Sequence, residues 1–256
     1  MQFLRALLPR PQNGIWDHPL PLFENPVCIL GDLHGMAASL ERMFDLIDQQ
    51  PDVGRVRLVV VGDMIDRGPD SATVLTRLRG LETIFADQVI CLMGNHERML
   101  LDFLANPARS GMRWLGAGGA EMLASFGLGG RFAGDTPANR FERIAEDLRA
   151  ALPQDMEQWL QDLPLYWEEG GLAVTHAGAD PAQPLNIQNT ELIWGHRDFQ
   201  KHPRRDGLWV AHGHVIVKEP YTKDGRIAVD TGAYRTGLLS AAWLDQSGLR
   251  FLQVPA

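Results

Sequence analysis

Apolar residues in the first hundred positions come in short continuous runs, each cut off by glycine and a polar side chain. Residues 26–30 (PVCIL) end at Gly31-Asp32, residues 57–61 (RLVVV) at Gly62-Asp63, and residues 88–93 (QVICLM) at Gly94-Asn95. Between them the spacing lengthens to a helical period: Met36, Leu40, Met43, Phe44 and Ile47 predict a helix over 36–48. A second helix is predicted over 71–78, with Asp70 or Ser71 as its cap, and a third over 97–104. Runs that are apolar at every position suit strands buried on both faces. The segment therefore reads as β-α-β-α-β-α around a mainly parallel sheet.

The pattern changes over residues 105–165, which are rich in Gly, Ala and Leu and predict helices at 112–126 and 137–161 without a strand. This stretch reads as a helical, cap-like insertion in one domain spanning 1–256. Short β-like runs return at 172–175, 208–211, 226–229, 238–244 and 249–254. Their turn-rich spacing predicts a second, mixed or antiparallel sheet packed on the first.

Composition narrows the function. A net charge of −8 over 256 residues argues against broad, sequence-independent nucleic-acid binding, which needs a basic field. It leaves room for a phosphorylated substrate, because bound divalent cations reverse the local potential. The two cysteines, Cys28 and Cys91, sit inside apolar runs and read as core thiols of a reducing compartment. No segment reaches the roughly 20 apolar residues of a membrane span. The apolar patch at Met1–Arg10 is too short for a secretory signal. The expectation is a soluble, cytoplasmic protein with no membrane partner.

Five clusters concentrate chemistry: Gly31-Asp32-Leu33-His34-Gly35, Gly62-Asp63 through Asp66-Arg67-Gly68, Gly94-Asn95-His96-Glu97, Thr175-His176-Ala177-Gly178 and His212-Gly213-His214. Any one of them is as well explained by an ordinary turn. Five at strand ends are not, because ligand-binding groups of such sheets collect beyond the strands' carboxyl ends. Two carboxylates gathered there without a cation would repel, whereas a cation makes the crowding favourable. Oxygen and imidazole donors without thiolate suit manganese, iron or zinc more than a structural zinc site.

The motifs GDLHG, GDMIDRG and GNHE, followed by THAG and GH, resemble the calcineurin-like metallophosphoesterases, and within them the bacterial and phage branch of the phosphoprotein phosphatases. The resemblance runs from about residue 26 to 236 and is weakest across the helical middle. It implies an α/β fold with two packed mixed β-sheets flanked by helices and a helical insertion. It also implies two divalent metal ions, with manganese the first choice and iron or zinc the alternatives. Asp32 and His34 would hold one metal, Asp63 would bridge, and Asn95, His176 and His214 would complete the second site. The implied reaction is direct attack of a metal-bridging hydroxide on a phosphomonoester. His96 would be the general acid, Asp66 its partner, and Arg67 a grip on the phosphoryl group.

The chain departs from this pattern in places. Where relatives carry Trp-x-Arg, it reads Trp194-Gly195-His196-Arg197, so either Arg197 or His196 fills the second phosphate-binding position, with Arg197 preferred. Val215 follows His214 where threonine is common. His212 reads as support for the site, as does Asp230-Thr231-Gly232. The stretch from Trp114 to Leu123 resembles one found in several bacterial branches and does not separate substrates.

The leading expectation is a serine/threonine protein phosphatase acting on a phosphorylated protein or a small phosphoester. The rival in the same fold is a symmetrical dinucleoside polyphosphate hydrolase, whose members usually read Ala-Arg where this chain has Asp66-Arg67. A non-catalytic binding module ranks third, since the ligand set and the His96–Asp66 pair are intact. Metal identity, physiological substrate and oligomeric state are left open.

Overall fold

The computed structural model describes residues 16–130 and 137–255. The patch at Met1–Arg10 lies outside the described residues. The chain forms two five-stranded mixed sheets flanked by helices.

The first sheet holds β1 (Val27–Leu30), β2 (Arg57–Val60) and β3 (Val89–Cys91), all parallel, connected by α1 (Ala37–Ile47) and α2 (Ser71–Ile84). Its other edge is β9 (Leu238–Asp245) and β10 (Gly248–Pro255), giving the order β10-β9-β1-β2-β3. β9 runs antiparallel to β1, with Ile29 opposite Ala242. This corrects the expectation that 238–244 and 249–254 belong to the second sheet. The chain returns to the first sheet at its end, and side-chain periodicity alone carries no information on which strand will be the neighbour.

The second sheet has the order β4-β5-β6-β8-β7, formed by β4 (Tyr166–Glu169), β5 (Leu172–Thr175), β6 (Trp209–His212), β7 (Tyr221–Lys223) and β8 (Arg226–Ala228). β4 and β7 escaped the sequence pattern because they are edge strands with mostly half-buried or exposed residues. Strands with so little of their surface covered lack the continuous apolar signature that the covered edge strand β3 keeps.

Successive side chains of one strand point to opposite faces. Cys28 and Leu30 of β1 face the helices, while Val27 and Ile29 face the other sheet. Val59 and Val61 meet Leu172, Val174 and Ala211 in the layer between the sheets. On the far side, Ala173 and Val210 pack on Leu192 and Phe199. Because layers cover both faces of the inner strands, their runs are apolar throughout.

The expected helix over 137–161 is two helices, α6 (Pro137–Ala151) and α7 (Met156–Asp162). Pro153 offers no N–H and stops the first one. The expected helix over 112–126 begins earlier, as α4 (Pro107–Trp114). It passes through a π turn (Leu115–Gly119) and continues as α5 (Ala120–Ser125). The third helix, α3 (Asn95–Ala105), starts at the site itself.

Candidate metal centre

Six strands from the two sheets deliver their carboxyl ends to one place. β1 leads to Asp32 and His34, β2 to Asp63, β3 to Asn95 and His96, β5 to His176, β6 to His214, and β8 to Asp230. The loops are tied to each other by backbone bonds. Leu33 and His34 donate to Asp63 O at 3.1 and 2.8 Å, and Gly213 donates to His176 O at 2.8 Å. Glu97 fastens two loops at once, its buried carboxylate accepting from the N–H groups of Asp63, Met64 and Gly94 at 2.8–2.9 Å. Burial and the charge of Asp63 push its pKa up to about 7.

Five of the eight non-glycine residues with positive φ among those described are His34, Asp63, Asp66, Arg67 and His214. Left-handed backbone costs free energy in L-residues, so its concentration here marks a place where the fold forces side chains inward.

Asp63 lies at the centre. Its Oδ2 is 3.5 Å from His34 Nε2 and its Oδ1 is 3.4 Å from His176 Nε2. Two groups of potential ligand atoms, His34–Asp63–His96 and Asp63–His176–His214, are each compact, with every atom within 4.8 Å of the others. Asp63 is common to both. Asn95 Oδ1 stands 2.9 Å from His176 Nε2 and 2.8 Å from His214 Nδ1. Asp32 accepts from the His214 backbone N–H at 3.1 Å. A Cβ on Gly213 would lie 2.0 Å from its Oδ1, so only glycine lets these two loops approach.

The donor set fits divalent cations. His34 Nδ1 donates to Ile65 O at 2.8 Å and His176 Nδ1 to Val61 O at 3.0 Å, which leaves each Nε2 lone pair turned to the cluster. Burial holds both imidazoles neutral, with pKa values lowered to about 3 and about 4. Burial pushes the Asp32 carboxyl well up, and the charges of Asp230 and Asp63 push it further. Burial also works against the Asp63 carboxylate, but His176, His96 and His34 outweigh it and hold its pKa below the usual range.

His96 is fully buried at the start of α3, its Nδ1 donating to Asp66 Oδ2 at 2.7 Å. Its Nε2 has no hydrogen-bond partner and lies 4.0 Å from Asp63 Oδ2. Burial lowers the pKa of this imidazole, but the bond to Asp66 and the charge of Asp63 prevail and raise it. Burial likewise lifts Asp66, to about 6.

The structure separates the two histidines of the last motif. β6 stops at His212, and His214 folds back with a φ of 64°. His212 turns away, stacking edge-on against Phe199 at 5.0 Å. Arg197 is not brought to the cluster. Its side chain is 85% exposed and lies 3.6 Å from Asp198, while His196 faces Asp180 at 4.0 Å. The one-residue insertion in Trp194-Gly195-His196-Arg197 leaves the arginine on the solvent side.

Three residues join the cluster without having been assigned a site role from the sequence: Tyr234, and Trp114 and Gly118 of the stretch from Trp114 to Leu123. Tyr234 hydrogen-bonds Arg67 Nη1 at 3.2 Å, and its ring lies 4.9 Å from the Arg67 guanidinium and edge-on to His34. Trp114 donates Nε1–H to Asp66 Oδ1 at 3.3 Å. Gly118 accepts from Arg67 N at 3.2 Å. The signal for Trp114 and Gly118 was that motif-like stretch, whereas Tyr234 offered only its place two residues after Gly232.

A family model described as calcineurin-like phosphoesterase matches residues 26–222. The chain belongs to the calcineurin-like phosphoesterases. Among members of this family, bis(5'-nucleosyl)-tetraphosphatase PrpE (asymmetrical) of Anoxybacillus flavithermus is 26% identical over 238 residues, covering 83% of this chain and 88% of that protein. A Caenorhabditis elegans protein named as a candidate serine/threonine-protein phosphatase is 38% identical over 74 residues, 29% of this chain; the match spans only 20% of that protein's length. A Saccharomyces cerevisiae protein serine/threonine phosphatase shares the phosphoesterase fold with a TM-score of 0.62 at 16% identity. The superposition covers 94% of this chain and 84% of that one.

Proposed function

We propose that this chain is a two-metal phosphomonoesterase whose leading substrates are phosphoserine and phosphothreonine in proteins. The observation that carries the reading is the buried Asp66–His96 pair, 2.7 Å apart, with His96 Nε2 left without a partner beside Asp63. A buried N–H or lone pair without a partner costs free energy, and at a phosphoesterase site it suits a proton handed to the leaving oxygen.

Asp32, His34, Asp63, Asn95, His176 and His214 would hold two divalent cations, manganese first, which when bound supply Lewis acidity and a nucleophile at neutral pH. The remaining work falls to protein groups. Asp66 strengthens the hold of His96 on a proton against the pull of burial, which suits an imidazolium that protonates the departing alkoxide. Arg67 Nη1 now donates to His34 Nε2 at 3.0 Å. That nitrogen has a single lone pair, and committing it as a ligand frees Arg67 for a phosphoryl oxygen, where a planar cation suits the geometry. Tyr234 keeps the guanidinium at the rim of the site.

A second reading is hydrolysis of dinucleoside polyphosphates. It is supported by the tetraphosphatase relative, which aligns over most of both chains. Side-by-side kcat/KM values on p-nitrophenyl phosphate, a phosphoserine peptide and diadenosine tetraphosphate, with manganese and after chelation, test both. Manganese-dependent turnover that favours the peptide is expected. A strong preference for the dinucleotide replaces the first reading by the second, and no turnover of any substrate sinks both.

A further inference from the structure

A polar cleft of about 460 Å³ opens among α3, α4 and α8 (Thr190–Trp194), lined by Arg98, Asp102, Arg113, Asn189, Thr190 and Trp194 among others. That volume is within the range of small-ligand sites. Every element that walls it also carries or touches the metal centre. α3 carries His96 on its buried face and Arg98 on its exposed face. On α4, Arg113 precedes Trp114, the donor to Asp66. α8 is joined to the loop after His176 by the Ala177 N–H donating to Leu192 O at 2.8 Å.

The cleft is cationic in a chain of net charge −8. Arg98 is offset by Asp102 at 3.1 Å. Among the described residues Arg113 has no carboxylate partner; its guanidinium lies 4.6 Å from the ring centroid of Trp194. Stacking on an aromatic face holds an arginine in place while leaving its N–H edge free, so less entropy is lost when it meets an anion. Arg197, the expected second grip on the substrate, points to solvent.

We propose that this cleft is a subsite for a second oxyanion of the substrate, bound by Arg98 and Arg113 while the scissile phosphoryl group sits at the metal centre. A carboxylate flanking a phosphoserine and a further phosphate of a polyphosphate chain share that chemistry. The proposal rests on the phosphoester-hydrolase reading above and adds a basis for substrate choice. Single-oxyanion esters use the metal centre alone; substrates with a second anion gain the two arginines.

The test compares the manganese-loaded full chain with its Arg98→Gln/Arg113→Gln double variant. Four substrates are used: p-nitrophenyl phosphate, a phosphoserine peptide with glutamates after the phospho-residue, the same peptide with glutamines, and diadenosine tetraphosphate. The variant is expected to keep p-nitrophenyl phosphate and the glutamine peptide within about twofold, as exposed charges away from the reacting atoms do. KM for the glutamate peptide or for the dinucleotide rises about tenfold at unchanged kcat, the loss expected for charge-assisted hydrogen bonds. Whichever rises identifies the source of the anion. Equal losses on all four, or no selective loss, overturn the proposal. Calorimetric binding of the two peptides to both proteins separates this outcome from failure of the hydrolase reading. If nothing is turned over, selectively weaker glutamate-peptide binding by the variant still supports the subsite, and equal binding overturns it.

Discussion

Trp114 donates its indole N–H to Asp66 at 3.3 Å from within the helical insertion, and the other oxygen of that carboxylate takes the proton-bearing nitrogen of His96. The insertion therefore touches the cluster at two points, Asp66 through Trp114 and Arg67 through Gly118. Trp114 is itself stacked on Phe103 at 4.5 Å and fully buried, so its N–H direction is set by packing.

Trp114→Phe keeps the ring and removes the donor. A hydrogen bond to a carboxylate contributes about 1.5–3 kcal/mol, so kcat on p-nitrophenyl phosphate is expected to fall about tenfold or more with KM nearly unchanged. Asp66→Asn is expected to lose about a hundredfold, the usual size of a general-acid contribution. Unaltered kcat in both variants, with normal circular dichroism, would refute the role given to the pair.

Gly118 has a φ of 119°, and a Cβ there would stand 2.6 Å from Arg67 N. Gly118→Ala is expected to destabilise the chain by at least about 1–2 kcal/mol in urea unfolding and to lower kcat/KM. Gly116, where a Cβ meets nothing within 4 Å, is the control, and its alanine variant should stay within about 0.5 kcal/mol.

Arginine position separates Arg67 from Arg197. Arg67→Ala is expected to cost about a hundredfold or more in kcat/KM if, as proposed, its guanidinium meets the charge developing on the phosphoryl group. Arg197→Ala should remain within about threefold, as an exposed surface charge does. Steady-state kinetics on one phosphomonoester decides between them.

Metal affinity and stability should move together. Manganese is expected to raise the melting temperature of the wild-type chain after chelation, since it binds the folded state and not the unfolded one. Asp63→Asn should abolish most of that increase together with activity, because Asp63 is the donor common to both ligand groups. An unchanged manganese response in the variant would contradict the shared role.

Cys28 gives a pH dependence away from the site. Burial pushes its thiol up to about 12, whereas an unfolded cysteine ionises near 9.0. A raised pKa means the folded state holds a proton that the unfolded state gives up. The associated stability is complete below about pH 9 and is lost as pH rises towards 12. At pH 9.5, iodoacetamide is expected to alkylate Cys28 only after unfolding, with mass spectrometry as the readout.

What the sequence determined by itself is local. Its three apolar runs ending in Gly-Asp, Gly-Asp and Gly-Asn announced β1, β2 and β3, because a strand covered on both faces must be apolar at each position. The same chemistry put Asp32, Asp63, Asn95, His176 and His214 at strand ends, where their residue types already suggested a cation. Edge strands β4 and β7 carried no such signature, since only part of each is covered.

Tertiary structure decided the neighbours. Whether β9 joins the first or the second sheet depends on which backbone edge is open, and periodicity does not encode that. One left-handed residue after Gly213 brings His214, and not His212, to the cluster, while Arg197 stands in solvent. Trp114, Gly118 and Tyr234 reach Asp66 and Arg67 from about fifty to over one hundred and sixty positions away in the chain. Contacts at that separation exist only when the packed layers bring their backbones together.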